Sequence, residues 1–248
     1  MEENKFFINK NSSSIILEGK DVLTFLQRLS TNDFTNFKDV KFTTTCFLND
    51  KGKIVDICDI YLFNDKYYLT SQSKYFGETI KYLEKYIIMD DVKIIKNELY
   101  NSDLEMFRVI ENTEEELKLK NINLGQININ EFTFQKYNPL ELNLWKYISF
   151  GKGCYLGQEV IARLDTYQKI SKQLVLLVSE ENNFELSLNT DDIIDSKNNV
   201  VGKIISNVNC DKKNYYLGVV QRNGLNNDSL FTKDKIELEQ VKCFNKTE

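Results

Sequence analysis

Residues 149–163 read Ser-Phe-Gly-Lys-Gly-Cys-Tyr-Leu-Gly-Gln-Glu-Val-Ile-Ala-Arg, the most informative segment of this chain. Its glycines predict a shaped loop, because glycine permits positive φ and close approach by another group. From Gln158 to Leu164 the residues are good helix formers, and the apolar ones can share one face. The segment therefore predicts a tight glycine loop leading into the start of a helix.

This predicted arrangement suits a small anionic ligand and a usable cysteine. A helix start presents free backbone N–H groups and a partial positive charge. That charge, and a neighbouring ammonium such as Lys152, favour the thiolate form of Cys154. Gln158 and Glu159 add hydrogen-bonding groups in the first turn. Two interpretations stay open at this point: a ligand-holding loop beside a reactive cysteine, or a structural turn around a buried one.

Composition excludes several classes of function. The 248 residues are 42% hydrophobic, enough for a sizeable core, and the formal net charge of −5 predicts no direct nucleic-acid binding. The chain has no histidine, so imidazole metal sites and Ser-His-Asp or Cys-His nucleophiles are excluded. No two of the five cysteines have C-x-x-C spacing, which predicts no metal site and free thiols in a reducing compartment.

Sorting signals point the same way. The N-terminus is acidic and has no secretory h-region, and no apolar run reaches the length of a membrane span. We expect a cytoplasmic protein that has no membrane partner.

The first part of the chain predicts an α+β unit with a largely antiparallel sheet. Residues 6–17 predict a strand, and Val22, Phe25, Leu26 and Leu29 form the apolar stripe of a helix. Further strands are predicted at 42–48, 54–63, 67–71 and 92–96. Ser73 is predicted to cap a helix that runs from Lys74 to about Met89.

The last part of the chain has a different rhythm. Short strands are predicted at 174–178, 192–195, 200–207, 215–220 and 235–241, divided by Asn/Asp/Gly turns. They predict a small C-terminal β-barrel or sandwich. We place the boundary near Ser171, which gives domains at 1–171 and 172–248.

The run Lys152-Gly153-Cys154-Tyr155-x-Gly157-Gln158-Glu159, followed by Ala162-Arg163, resembles the signature of the YgfZ-type folate-binding proteins. These are relatives of the glycine-cleavage T protein, an aminomethyltransferase. The approach at 138–144, the opening Gly19-x-Asp21…Thr31-Asn32-Asp33, and the C-terminal strands at 201–206 and 217–220 also resemble the family. The resemblance implies a T-protein-like folate-binding domain followed by a small β-barrel.

What the resemblance implies about function is specific. It implies binding of tetrahydrofolate or a one-carbon derivative, and support of iron–sulfur client proteins, including tRNA-modifying enzymes. Cys154 would be the functional thiol, with Lys152 beside it as the second catalytic candidate. Contacts with the cofactor are expected from Gly153, Tyr155, Gly157, Gln158, Glu159, Arg163, Asp56 and Arg108.

Two departures from the family bear on these expectations. T proteins read Gly-Gly-x-x-Asp-Asp where this chain reads Gly52-Lys53-Ile54-Val55-Asp56-Ile57, so the second glycine and the second acid are missing. The span between Lys96 and Phe107 is also short for the family, which would open one wall of a ligand cavity. One alternative function is that of a folate-dependent one-carbon transferase that transfers an aminomethyl group. A non-enzymatic adaptor for iron–sulfur proteins is another.

Overall fold

The computed structural model describes residues 6–9, 12–97, 107–110, 114–180, 191–226 and 229–245. Within these ranges the strands are β1 (Phe6–Asn9), β2 (Ser13–Glu18), β3 (Phe42–Leu48), β4 (Ile54–Phe63), β5 (Lys66–Ser71), β6 (Lys93–Asn97), β7 (Phe107–Ile110), β8 (Lys172–Ser179), β9 (Asp192–Asp195), β10 (Val200–Cys210), β11 (Lys213–Gln221), β12 (Leu230–Thr232) and β13 (Glu237–Cys243). The α-helices are α1 (Val22–Leu29), α2 (Phe37–Val40), α3 (Phe76–Tyr86), α4 (Glu114–Leu124) and α5 (Gln158–Thr166).

The chain divides into two compact units. The first contains Met1–Glu111, Asn128–Asn138 and Lys146–Arg163. Its main sheet has the strand order β3-β4-β5-β2-β6, and every neighbouring pair is antiparallel. Helices α1 and α3 contribute to one continuous core with this sheet. The predicted α+β class with a largely antiparallel sheet is confirmed.

Helix α1 confirms its predicted stripe, since Val22, Phe25, Leu26 and Leu29 are all buried. Helix α3 is shorter than predicted. It begins after Tyr75, and the Ser73 hydroxyl accepts a hydrogen bond from the Tyr75 N–H at 2.9 Å instead of capping the helix itself. The helix ends where Ile87 becomes extended, and the side chain of Met89 is 93% exposed. The helix therefore ends three residues before the predicted end at Met89.

Residues 6–17 do not form one strand. Strand β1 pairs in parallel with β7, whereas β2 lies in the main sheet between β5 and β6. Prediction from the sequence missed this parallel pair.

The second unit contains Asn112–Ile127, Pro139–Trp145 and Leu164–Glu248. Its strands close into a barrel in the order β10-β11-β8-β13-β12-β9, around a core that includes Val175, Leu177, Ile193 and Tyr216. The predicted C-terminal barrel is confirmed, although β12 was missed. Division of the chain between residues 171 and 172 stays a proposal.

Along the described ranges, no helix is long and apolar enough to cross a membrane.

Candidate functional site

The site is built around the signature loop, which we define as residues 149–157. The loop follows a 3₁₀ turn at Trp145–Tyr147 and leads directly into α5. Helix α5 begins at Gln158, so the predicted loop-to-helix arrangement is confirmed. Ile161 is the buried residue of this helix, and Val160 is half-buried.

One of the three glycines in the loop is required by close packing. Gly157 has φ of +81°, and a Cβ at this position would lie 2.7 Å from the carbonyl oxygen of Asn49. Gly52 has φ of +66° and lies in the turn that contacts α5. A Cβ on Gly52 would lie 2.9 Å from the Cβ of Val160. By contrast, a Cβ on Gly151 or Gly153 would meet nothing within 4 Å. Gly157 therefore packs the start of α5 against the turn between β3 and β4.

Lys152 is buried, which its residue type does not predict. Its ammonium donates hydrogen bonds to the carbonyl oxygen of Ser30 at 2.8 Å and to that of Asn32. The ring of Tyr155 lies 5.3 Å away and that of Phe34 6.0 Å away, so the charge also faces aromatic surface. Burial lowers the pKa of Lys152 to about 8, an effect that the nearby Asp33 carboxylate opposes.

Cys154 lies two residues further along the loop and is exposed. Cys46 and Cys58 are buried, and Cys210 and Cys243 are half-buried. The Lys152 ammonium is held inside the protein by backbone carbonyls, whereas the Cys154 side chain faces solvent. An effect of Lys152 on the Cys154 thiol stays a prediction.

The segment Arg28–Asn32 anchors the signature loop from the other side. The Leu156 N–H donates to the Arg28 carbonyl at 3.0 Å, and the Ser149 N–H donates to the Thr31 carbonyl at 3.0 Å. The Thr31 hydroxyl donates to the Tyr147 carbonyl at 2.6 Å and accepts from the Cys46 N–H at 3.0 Å. Thr31 is thus a supporting residue that sequence reasoning recognised only as part of a family motif.

The remaining expected ligand contacts differ in their surroundings. Tyr155 is buried, and burial, with a smaller contribution from Cys46, raises its pKa to about 12. On α5, Gln158 is half-buried, while Glu159 and Arg163 are exposed. Arg108 lies on β7, opposite Phe7 of β1. Eight of the expected site residues therefore lie on one continuous segment of the chain, namely Lys152, Gly153, Cys154, Tyr155, Gly157, Gln158, Glu159 and Arg163.

Asp56 occupies a different environment, in the middle of the first unit. It is completely buried on β4, and its carboxylate accepts hydrogen bonds from Ser71 at 2.8 Å, Thr79 at 2.6 Å and the Ile57 N–H at 2.8 Å. Burial raises its pKa to about 6, although these hydrogen bonds act in the opposite direction. Because Thr79 belongs to α3, the Asp56 side chain points to the helix-covered face of the sheet. Its predicted contact with a cofactor stays a prediction.

A second carboxyl group on β4, at Asp59, was missed at the sequence level. Side chains alternate along a strand, so Asp59 and Ile57 share the face opposite to that of Asp56. Asp59 pairs with Thr44 of β3 and Thr70 of β5. The Thr44 hydroxyl donates to its carboxylate at 2.6 Å, and burial raises the pKa of Asp59. Counting by twos from Ile57 would have placed Asp59 on this face.

Within the described ranges, no group of three or more Cys, Asp or Glu side chains could hold a metal ion.

Comparison with known proteins reveals relatives in two related groups. No protein-family model matches the chain. The chain is 35% identical over 124 residues to the tRNA-modifying protein YgfZ of Buchnera aphidicola, an alignment that covers 48% of this chain and 39% of the relative. It is 38% identical over 55 residues to an aminomethyltransferase of Caldanaerobacter subterraneus, covering 22% of this chain and 15% of the relative. The chain thus spans well under two thirds of the length of either relative.

Among solved structures, the chain is similar to the glycine cleavage system aminomethyltransferase T of Bartonella henselae. The TM-score is 0.73, and the superposition covers 96% of this chain and 86% of that protein. Sequence identity is 13%, so this likeness concerns the fold.

Proposed function

We propose that this chain, a relative of the YgfZ-type proteins and the aminomethyltransferases with the aminomethyltransferase fold, binds tetrahydrofolate or a one-carbon derivative of it. In this proposal the folate-bound protein supports iron–sulfur client enzymes, including those that modify tRNA. We place the protein in the reducing cytoplasm, because five cysteines without C-x-x-C spacing are typical of free thiols.

One observation carries the proposal: Cys154 is exposed on a loop that is fixed on both sides of it. The Lys152 ammonium holds the loop before Cys154 to Ser30 and Asn32, and Gly157 packs the end of the loop against the β3–β4 turn. Fixing the backbone in advance lowers the conformational cost of presenting a side chain to a partner. Cys154 is therefore proposed as the functional thiol, with Lys152 as the residue that positions it.

The cofactor contacts are proposed along the same segment. Gly153 and Gly157 shape the loop, and Tyr155, Gln158, Glu159 and Arg163 supply hydrogen-bonding and charged groups. The open space around Gly153 permits close approach by a ligand. Arg108 on β7 and Asp56 on β4 complete the proposed set.

The test is equilibrium binding of 5-formyltetrahydrofolate, a stable reduced folate, measured by isothermal titration calorimetry. We expect saturable binding with a dissociation constant in the micromolar range or below. Cys154→Ala should bind the folate nearly as well as the wild type but fail to restore the activity of iron–sulfur enzymes in cells that lack this protein. Failure of the wild type to bind even at millimolar folate would refute the folate proposal.

The same variant separates the thiol mechanism from an adaptor. If Cys154→Ala restores those enzymes fully, the protein acts by contact alone and the thiol has no chemical role. Cys210→Ser is the matched control, since Cys210 lies on a barrel strand away from the signature segment in sequence.

A second candidate function is aminomethyl transfer, which the fold favours. Against it, Ile57 stands where T proteins have the second acid of their paired carboxylates. An assay with an aminomethylated carrier protein and tetrahydrofolate distinguishes the two. Methylenetetrahydrofolate formation at a rate above that without the protein would favour this second function over the first.

A further inference from the structure

The face of β4 that carries Ile57 also carries a carboxyl group two residues along. Asp59 lies on a central strand pairing, opposite Thr44 on one side and Thr70 on the other. A side chain at the centre of a fully covered sheet face would be completely buried. Asp59 is instead half-buried, so solvent or a ligand can approach it.

The hydrogen bonding of Asp59 leaves acceptor capacity unused. An ionised carboxylate offers about four acceptor positions. In the part of the chain that the structure describes, Thr44 donates to one oxygen at 2.6 Å, and Tyr61 approaches the other at 3.5 Å. No lysine or arginine of the described ranges forms an ion pair with it. A half-buried carboxylate with so few donors gains from a ligand that brings N–H groups.

The groups around Asp59 belong to the segment that leads into the signature loop. Thr44, which donates to Asp59, accepts at its carbonyl oxygen a hydrogen bond from the side-chain amide of Asn32 at 3.0 Å. The neighbouring Thr31 hydroxyl donates to the Tyr147 carbonyl at 2.6 Å. The Lys146 ammonium lies 4.8 Å from the centre of the Tyr147 ring. Cys46, which pairs with Ile57, donates its N–H to the Thr31 hydroxyl at 3.0 Å. The Thr31 carbonyl in turn accepts a hydrogen bond from the N–H of Ser149 in the loop at 3.0 Å. This sheet face and the signature loop therefore adjoin within one unit.

We propose that Asp59 is a ligand-contacting residue whose carboxylate accepts hydrogen bonds from the N–H donors of the pterin ring of a bound reduced folate. Thr44 is the positioning residue that orients this carboxylate. This inference rests on the proposed folate function and adds a specific subsite to it. The pterin end is the chemical match, because its aminopyrimidinone edge presents adjacent N–H donors. The glutamate end carries carboxylates, which Asp59 would repel.

The experiment compares Asp59→Asn with the wild type by calorimetry. The variant is isosteric, and its amide oxygen can still accept the hydrogen bond from Thr44. The titrants are 5-formyltetrahydrofolate, tetrahydrobiopterin as a pterin without the tail, and p-aminobenzoylglutamate as the tail without the pterin. Asp65→Asn, in the exposed turn between β4 and β5, is the matched control.

We expect Asp59→Asn to weaken binding of 5-formyltetrahydrofolate and of tetrahydrobiopterin about 10- to 100-fold, as for loss of hydrogen bonds to a charged group. Binding of p-aminobenzoylglutamate and the melting temperature should change little. Thr44→Val retains the carboxyl group and should weaken pterin binding by a smaller factor.

The outcomes separate the two levels of proposal. If the wild type binds the folate and Asp59→Asn binds it equally well, the Asp59 subsite is wrong and the folate function stands. Equal weakening for the pterin and the tail fragment would also overturn the subsite, because it indicates a general structural defect. If the wild type binds none of the three compounds, both proposals fail.

Discussion

Gly52 and Gly157 lie so close that a Cβ on Gly157 would be 3.2 Å from the Cα of Gly52. Both have positive φ, and they join the turn after β3 to the start of α5. Neither position tolerates a side chain without movement of the backbone.

Gly157→Ala should therefore destabilise the protein by roughly 2–3 kcal/mol, since it adds strain at positive φ and a contact of 2.7 Å with a backbone oxygen. Guanidinium denaturation measures the change. Gly151→Ala is the matched control in the same loop, where a Cβ meets nothing, and it should alter stability by less than about 0.5 kcal/mol. Equal effects of the two substitutions would contradict the packing argument.

Replacement of Lys152 by methionine keeps the apolar stem but removes the donor to Ser30 and Asn32. Those carbonyl oxygens would each lose a hydrogen bond, and we expect a loss of about 1–3 kcal/mol in the free energy of unfolding. Lys51→Met, at an exposed position in the β3–β4 turn, provides the comparison. Unchanged stability of Lys152→Met in chemical denaturation would show that the buried ammonium anchors nothing.

The exposed Cys154 should react with a thiol reagent such as iodoacetamide before the buried thiols do. Mass spectrometry of the native protein should find Cys154 modified first, and Cys46 and Cys58 modified only after unfolding. Cys154→Ser should remove the fast phase, while Cys210→Ser should retain it. Early modification of Cys46 in the folded protein would disagree with its complete burial.

Stability should depend on pH through Asp56. Its pKa is raised by burial from 3.8 to about 6, so between these values the native state holds a proton that the unfolded chain has released. The stability that this group contributes is complete below its pKa in the unfolded chain and is lost as the pH rises through about 6. A shift of about two pKa units corresponds to a loss of about 3 kcal/mol.

Asp56→Asn does not titrate and isolates this effect. The difference in free energy of unfolding between the wild type and the variant should move in favour of the variant from about pH 4 to about pH 7. Urea denaturation at several pH values gives the curve. A difference that stays constant over this range would show that Asp56 has an ordinary pKa in the folded protein.

The sequence predicted helices and strands correctly where the pattern of apolar residues matches their packing in the core. The apolar stripe of α1 has helical period, and all four of its predicted core residues are buried. The loop-to-helix change at Gln158 was visible in residue type alone. The barrel strands were recognisable by their spacing, except for β12, whose three residues are too few for a periodic signal.

Other features depend on contacts between distant residues, which a single sequence does not reveal. Strand β4 is largely apolar on both faces, so its pattern did not show which of its two faces the helices cover. Burial of Lys152 depends on carbonyl groups more than a hundred positions away. The parallel pair of β1 with β7 also required the tertiary fold.

The bond from Lys152 to Ser30 joins residues 122 positions apart, which has a consequence for biosynthesis. At a translation rate of about 5–20 residues per second, the ribosome adds the partner roughly 6–24 s after it has made Ser30. During that interval the carbonyls of Ser30 and Asn32 must be satisfied by water or by a chaperone. The nascent chain therefore carries these two carbonyl groups without their final donor while 122 residues are added, until the signature loop supplies the Lys152 ammonium.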